Sequence, residues 1–196
     1  MKSVLFDVDG VFLSEERCFD VSALTTYEIL MDKSYLGLDA SIDFQSLNDE
    51  DIQKIRAIVF DHDKILVKLK SLGLNSNWDM LFIVTALHFI EVCKQLSSAQ
   101  LDTVLNAETF SQQTLQEVGA SVSDIQLDFK APLTFLADVK PGKDHVYQAL
   151  IAYAQKVLNT SHTELFELKS PFWLLTQEVY QEWYLGCKLF KEVEQK

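Results

Sequence analysis

Apolar residues recur every three or four positions through most of this 196-residue chain, and this helical rhythm constrains the fold more than any other feature. From Ile52 to Leu72 the rhythm runs up to Gly73 and predicts either one long helix or two in tandem. The run from Met80 to Ile90 predicts a buried helix, because it is apolar almost throughout but too short to span a bilayer. Six glycines and three prolines fall below the averages of about 7% and about 5%, so tight turns should be few. We therefore expect a mostly helical protein.

Polar capping residues indicate where the individual helices should begin. The predicted starts are Asp20 for a helix over about 21–33, Asn48 before an acidic first turn, Asn77 for a helix to about Leu96, Ser97 or Ser98 for a helix to about Asn106, Pro141, Ser161 with Glu164 as a capping box, and Ser170 with Pro171. Residues 107–139 are less periodic, and we predict loop in part of that range. In the last helix, Leu174, Val179 and Trp183 should face the core.

The amino-terminal residues differ from the rest of the chain. Residues 2–8 form a short apolar run that predicts a buried strand, and residues 11–19 alternate in part, as a small β-hairpin would. Asp7 and Asp9 follow Val4-Leu5-Phe6 directly. Two carboxylates two residues apart at a strand end point the same way, and such a pair suits a hard cation such as Mg²⁺. One acid can then attack as a nucleophile while the other transfers protons.

Two other interpretations of this acidic pair stay open from the residues alone. An EF-hand loop would place Glu16 correctly at its twelfth position, but its first position would be Leu5, which cannot bind calcium. Alternatively, Asp7 and Asp9 simply end a strand and start a turn.

The stretch VLFDVDGVF, residues 4–12, resembles the first motif of the haloacid dehalogenase-like hydrolases, an apolar strand followed by DxDG and Val or Thr. The helices that follow resemble the helical cap of that superfamily. The resemblance implies a Mg²⁺-dependent phosphohydrolase of the phosphatase type, in which Asp7 is the nucleophile that forms an aspartyl-phosphate and also a metal ligand. It implies that Asp9 is the acid/base catalyst and a metal ligand, and that the substrate is a small phosphorylated molecule.

The family has three further motifs, and this sequence contains only partial counterparts of them. Thr85 mimics the Ser/Thr motif but lies in an apolar helical pattern, which favours a core helix. Lys140-Pro141-Gly142-Lys143 mimics the Lys motif at a predicted helix start, where a solvated lysine is the simpler interpretation. Asp124 and Asp128 have the spacing of the acidic motif without its strand, and Asp61-His62-Asp63 should lie on a solvated helix face.

These observations predict a mainly α fold: a helical cap or bundle preceded by one short strand and a β-hairpin of an incomplete Rossmann-like α/β core. Residues 1–19 would be the first strand and flap of that core, residues 20–190 the helical cap, and residues 191–196 a linker back to core strands beyond Lys196. A complete protein that has lost catalysis is the alternative. Arg17 in the flap is a candidate substrate contact or an ordinary exposed arginine, and His88 should be a core or rim residue.

Charge and cysteine content bound the partners. With 29 acidic and 17 basic residues the formal charge is -12, which argues against nucleic acid or an anionic membrane as partner. Cys18, Cys93 and Cys187 are few and far apart, which favours reduced thiols in a cytoplasmic protein over a zinc or disulfide framework. A second functional hypothesis is a non-catalytic helical module that binds a partner or forms a homodimer through an apolar helix face.

Overall fold

The structure of the chain, a computed structural model, describes residues 15–39, 42–107, 109–122 and 125–186. The regular elements of these ranges are all helical. In chain order they are α1 (Glu16–Met31), α2 (Asp49–Val59), α3 (Lys64–Ser71), α4 (Asn77–Cys93), α5 (Ser98–Leu105), α6 (Gln112–Ser121), α7 (Ala131–Leu136), α8 (Lys143–Leu158), a 3₁₀ turn (Glu164–Phe166) and α9 (Pro171–Leu185).

The predicted fold class is wrong, because the described residues contain no strand and no hairpin. Residues 16–19, which we placed in a β-hairpin, form the first turn of α1. Helical geometry is favoured there because it buries Phe19 on the same face as Ala23 while Glu15 and Glu16 meet basic side chains. The predicted strand at 2–8, the rest of the hairpin and the linker at 191–196 lie outside the described residues.

Helix α4 is the centre of the core and packs against α1, α7, α8 and α9. Every residue from Met80 to Ile90 is buried, which confirms the prediction of a buried helix in this segment. The cap is Ser76 rather than Asn77, since its hydroxyl accepts the backbone N–H of Asp79. No helix among the described residues is both long and apolar enough to cross a membrane.

Phenylalanine rings join α9 to α4 inside this core. The ring of Phe172 lies 4.8 Å from that of Phe89, 5.8 Å from that of Phe82 and 5.2 Å from that of Phe110, measured between centroids. Tilted and edge-to-face pairs of this kind each contribute about 0.5–1.5 kcal/mol beyond the area they bury. The start of α9 is therefore fixed against the middle of α4.

The residues between Ile52 and Leu72 form two helices, α2 and α3. Two helices in tandem were one of the two arrangements that the sequence predicted. The break between them is Asp61-His62-Asp63, three consecutive residues in the left-handed region with φ of 44°, 53° and 66°. Our prediction of a solvated helix face at these residues is wrong. A left-handed backbone is strained for residues with a side chain, so the contacts that Asp61 and Asp63 make have to stabilise it.

Three of the predicted helix starts are confirmed by the hydrogen bonds that their caps make. Asn48 and Ser97 each form a capping box, and the hydroxyl of Ser170 accepts the N–H of Trp173. The capping box predicted at Ser161 is absent, since the chain there forms only the 3₁₀ turn after Thr163. Helix α8 begins at Lys143, two residues later than Pro141.

Candidate functional site

The predicted catalytic and metal-binding residues, Asp7 and Asp9, lie outside the described residues. Five residues separate Asp9 from Glu15, where the described structure begins, and the six Cα–Cα steps between the two span at most about 20 Å when extended. Any chemistry of Asp7 and Asp9 is therefore tied by the covalent chain to the end of the domain at which α1 starts.

The starts of three helices meet at that end of the domain. Lys70, near the end of α3, forms an ion pair with Glu15 at 2.6 Å, and the backbone N–H of Gly142, just before α8, donates to the carbonyl of Leu72 at 2.7 Å. Lys143 in the first turn of α8 reaches Asp79 in the first turn of α4. We call this region the α1 end of the domain. The amino-terminal ends of α1, α4 and α8 carry partial positive charge at this end, where Glu15 and Asp79 also pair with the two lysines.

Arg56 at the end of α2 fixes the first turn of α1 in place. Its guanidinium is nearly buried and binds both carboxylate oxygens of Asp63, at 2.9 and 2.8 Å. It also binds Glu16, and it donates to Asp20 at 3.1 Å. Three carboxylates surround this single cation and neutralise its charge. Arg56 therefore has a structural role and is not a candidate for binding a phosphate group.

The ring of Phe19 lies between two cations at the same place. The Arg56 guanidinium carbon is 5.5 Å and the Lys70 ammonium is 4.7 Å from the ring centroid. Cation–π contacts of this kind are attractive by about 0.5–1 kcal/mol at exposed sites. Phe19 thus fastens α1 to both α2 and α3.

A second charged cluster joins the starts of α4 and α8. The carboxylate of Asp79 is almost fully buried; it accepts Lys143 at 2.7 Å and the hydroxyl of Tyr147 at 2.8 Å. Burial, and then the charge of Asp79, raise the pKa of Tyr147 well above its usual range. Trp173 borders this cluster, and its indole N–H partly opposes the rise in the pKa of Tyr147.

Lys143 therefore has a defined partner, whereas the sequence suggested only a solvated lysine at a helix start. Its side chain is 43% exposed, so it neutralises a buried carboxylate and still reaches solvent at the α1 end. Sequence reasoning missed its partner Asp79. The available signal was a lone carboxylate three residues after a serine cap, at the start of an otherwise apolar helix.

The remaining partial counterparts of the family motifs are structural. Thr85 is buried in α4, where its hydroxyl bonds the carbonyl of Leu81 and the hydroxyl of Thr26, both at 2.9 Å; the core-helix prediction is confirmed. Arg17 is exposed on the first turn of α1 rather than in a flap. Asp124 lies outside the described residues.

His88 is buried in α4, as predicted for a core residue. It is 1% exposed, its ring centroid is 4.8 Å from that of Phe129, and its Nε2 atom has no hydrogen-bond partner. Burial lowers the pKa of His88 to about 4, partly opposed by the charge of Asp128. His88 is therefore neutral at pH 7.

No three or more histidine, cysteine or acidic side chains of the described ranges are grouped so that they could hold a metal ion. The Mg²⁺ that the sequence resemblance implies would depend on Asp7 and Asp9, whose carboxylate oxygens are the hard donors that this ion prefers.

No family model matches the chain, and no curated protein matches it. Among solved structures, the chain is similar to an X-ray structure of the Northeast Structural Genomics Consortium target ZR25, with 55% sequence identity and a TM-score of 0.91. The similarity covers 100% of this chain and 52% of that one, so the chain spans about half of the length of the protein it matches.

Proposed function

We propose that this chain belongs to a Mg²⁺-dependent phosphohydrolase of the phosphatase type that acts on a small phosphorylated substrate. The observation that carries the proposal is the sequence Asp7-Val8-Asp9-Gly10-Val11 directly after the apolar Val4-Leu5-Phe6, which resembles the first motif of the haloacid dehalogenase-like hydrolases. We leave the strand-containing core out of the proposal, because the described residues contain no strand.

In this proposal, the carboxylate of Asp7 attacks the phosphorus atom and the bond to the ester oxygen breaks, which leaves an aspartyl-phosphate. Asp9 protonates the departing oxygen, then accepts a proton from the water that hydrolyses the aspartyl-phosphate. Bound Mg²⁺ supplies positive charge that offsets the repulsion between an anionic nucleophile and an anionic phosphoryl group. The same oxygen donors, Asp7 and Asp9, would hold it.

The helical domain would select the substrate. Five residues separate its α1 end from Asp9, and the starts of α1, α4 and α8 there are favourable for an anionic group. Lys143 and Lys70 have side chains that are 43% and 38% exposed, but each already pairs with a carboxylate, so they would orient a substrate rather than supply free positive charge. Caps that exclude water and contact the substrate are a common source of specificity.

The test is Mg²⁺-dependent release of phosphate from para-nitrophenyl phosphate by the purified full-length gene product. Asp7→Asn should reduce the rate to background, since an amide is a poor nucleophile, and Asp9→Asn should reduce it because the proton donor is lost. Asp102→Asn on the exposed side of α5 is the matched control and should leave the rate unchanged. Activity of Asp7→Asn equal to that of the unmodified protein would contradict the assignment.

The second candidate is a non-catalytic module that forms a homodimer through an apolar face. Leu174 and Tyr184 on α9 are 52% and 57% exposed, and this observation favours the hypothesis. The Met80–Ile90 segment cannot supply such a face, because it is entirely buried. Sedimentation of the unmodified protein and of Leu174→Glu would discriminate: a dimer that the substitution dissociates supports the module, and a monomer at all concentrations contradicts it. For either function, we propose a cytoplasmic location from the three scattered cysteines.

A further inference from the structure

We propose that the open groove between α7 and α8 binds a small amphipathic anion, a molecule with an acidic head group and an apolar body. The groove has a volume of about 690 Å³, within the range of ligand sites. It combines an apolar wall with lysines at its rim. This inference does not depend on Asp7 or on the phosphohydrolase proposal.

The apolar wall is held rigidly. The rings of Phe135 on α7 and Tyr153 on α8 meet edge to face with centroids 5.3 Å apart. The hydroxyl of Tyr153 donates to the carboxylate of Glu91 on α4 at 2.7 Å, which fixes the ring from behind. The small side chains of Ala149 and Ala152 leave the space in front of these rings open. A preformed wall of this kind lowers the entropy lost when a flat apolar ligand binds.

Basic side chains stand at both ends of the groove. Lys140 and His145 line one end, and Lys156 lines the other, eleven residues further along α8 or about 16 Å. Lys140 and Lys156 are exposed, and no carboxylate of the described residues forms an ion pair with either. Several other lysines of this acidic chain are paired, for example Lys143 with Asp79. Asp138 is the acidic residue among those that line the groove, which also include the two lysines.

The ring of His145 is oriented by its neighbours. Its Nδ1 donates to the carbonyl of Pro141 at 2.7 Å, since a carbonyl oxygen can only accept. The ring also packs on Gly142, where an added Cβ would lie 3.1 Å from Nδ1. With the proton on Nδ1, Nε2 of the neutral ring is an acceptor, so an acidic head group would be bound by Lys140 rather than by His145. The charge and shape of the groove thus match an anion whose head binds at the Lys140 end and whose body lies on Phe135 and Tyr153.

The probe for this site is 8-anilinonaphthalene-1-sulfonate, an aromatic anion that fluoresces when it binds an apolar surface, titrated into the full chain. Replacing both lysines, Lys140→Gln with Lys156→Gln, should weaken binding by about tenfold or more, because Lys140 no longer pairs with the acidic head and Lys156 no longer adds positive charge at the far end of the groove. Phe135→Ala should weaken it as well. The control pair Lys33→Gln with Lys169→Gln removes the same charge elsewhere on the surface and should change binding by less than about twofold.

Competition identifies the head group. Benzoate and phenyl phosphate should displace the probe, and whichever acts at the lower concentration gives the preferred acid; benzyl alcohol and inorganic phosphate should not. The inference is overturned if the two lysine pairs weaken binding equally, if benzyl alcohol competes as well as the anions, or if no saturable binding occurs. Asp7→Asn should bind the probe normally. Loss of binding in that variant would move the probe to the proposed catalytic residues and would also overturn the groove assignment.

Discussion

Trp183 in the last turn of α9 donates its indole N–H to the carboxylate of Glu28 on α1 across 2.6 Å. The carboxylate is half-buried, and this burial raises its pKa from 4.5 to about 7, with smaller contributions from the charges of Asp32 and Glu182. The hydrogen bond from Trp183 acts in the opposite direction but does not outweigh burial. Glu28 therefore binds its proton more tightly in the folded chain than in the unfolded chain.

Glu28 should make the protein less stable as pH rises from about 4.5 to about 7. Over that range the folded state keeps a proton that the unfolded state has lost, so the free energy of unfolding falls by up to about 1.4 kcal/mol per pH unit. Glu28→Gln keeps an acceptor for Trp183 and should remove this slope, which makes the variant more stable than the unmodified protein at pH 8. Urea unfolding at several pH values measures the effect, with the exposed Glu117→Gln as control. Equal pH profiles for Glu28→Gln and the unmodified protein would refute it.

His88 should have the opposite effect. Its pKa falls from 6.5 to about 4 on folding, so below pH 6.5 the unfolded state takes up a proton that the folded state refuses, and stability falls as pH falls toward 4. His88→Leu should abolish this loss, whereas the exposed His162→Gln should not. Between pH 4.5 and 6.5 the slopes from Glu28 and His88 oppose each other. Glu28→Gln should therefore show a rising stability with pH in that window, and a flat profile there would count against the burial effect at His88.

Arg56→Met should lower the free energy of unfolding by about 3 kcal/mol. The substitution leaves the carboxylates of Glu16, Asp20 and Asp63 without their shared cation. We take the lower end of the range for broken buried pairs because Glu16 and Asp63 are 66% and 44% exposed. Arg56→Lys should lose less, since it keeps the charge but cannot make two parallel bonds to Asp63.

Lys54→Met is the control for Arg56, because the pair of Lys54 with Glu50 is solvent-exposed and should contribute little to stability. If Arg56→Met changed the midpoint of urea unfolding no more than Lys54→Met does, the cluster at the start of α1 would have no structural role.

Gly119→Ala should destabilise the chain by about 2 kcal/mol or more, although alanine is the better helix former. A Cβ at this position of α6 would lie 1.8 Å from the carbonyl oxygen of Leu36, so the helix would have to move away from the segment after α1. The exposed neighbour Ala120→Gly is the control and should cost about 1 kcal/mol through helix propensity alone. A rise in melting temperature for Gly119→Ala would show that this close approach does not matter.

The sequence predicted best where a helix start depends on local hydrogen bonds. Asn48, Ser97 and Ser170 cap their helices as expected, because side chain and backbone donor are only two or three residues apart. Ser161 carried the same signal but is followed by a single 3₁₀ turn. Its failure shows that a capping pattern requires a helix-length apolar face after it.

Periodicity failed where tertiary contacts decide the backbone. Phe60 and Ile65 are both buried, so the apolar rhythm continues across the left-handed turn at Asp61-His62-Asp63 and conceals it. Arg56 binds Asp63 and so stabilises this turn. The two residues are seven positions apart in the sequence, and the apolar periodicity gives no indication of their contact. The hairpin prediction failed at residues 16–19 for a related reason, since burial of Phe19 between Arg56 and Lys70 favours a helix over partial alternation.

The charged clusters were the least predictable part of the candidate site. Asp79 and Lys143 are 64 residues apart and meet only because α4 and α8 pack side by side with their starts together. Leu174, which we expected in the core, is exposed because Phe172, Thr176, Val179 and Tyr180 form the buried face of α9. Only the packing of whole helices determines which of two adjacent apolar stripes is buried.

The burial of α4 from Asp79 to Ile90 has a consequence for how the domain assembles. Its neighbours α1, α7, α8 and α9 all pack against it, and part of their apolar surface is buried there. A partly assembled domain that lacked α4 would expose all of those faces to water at once. The helices are therefore expected to fold and unfold together in one cooperative step, without a stable intermediate that contains only some of them.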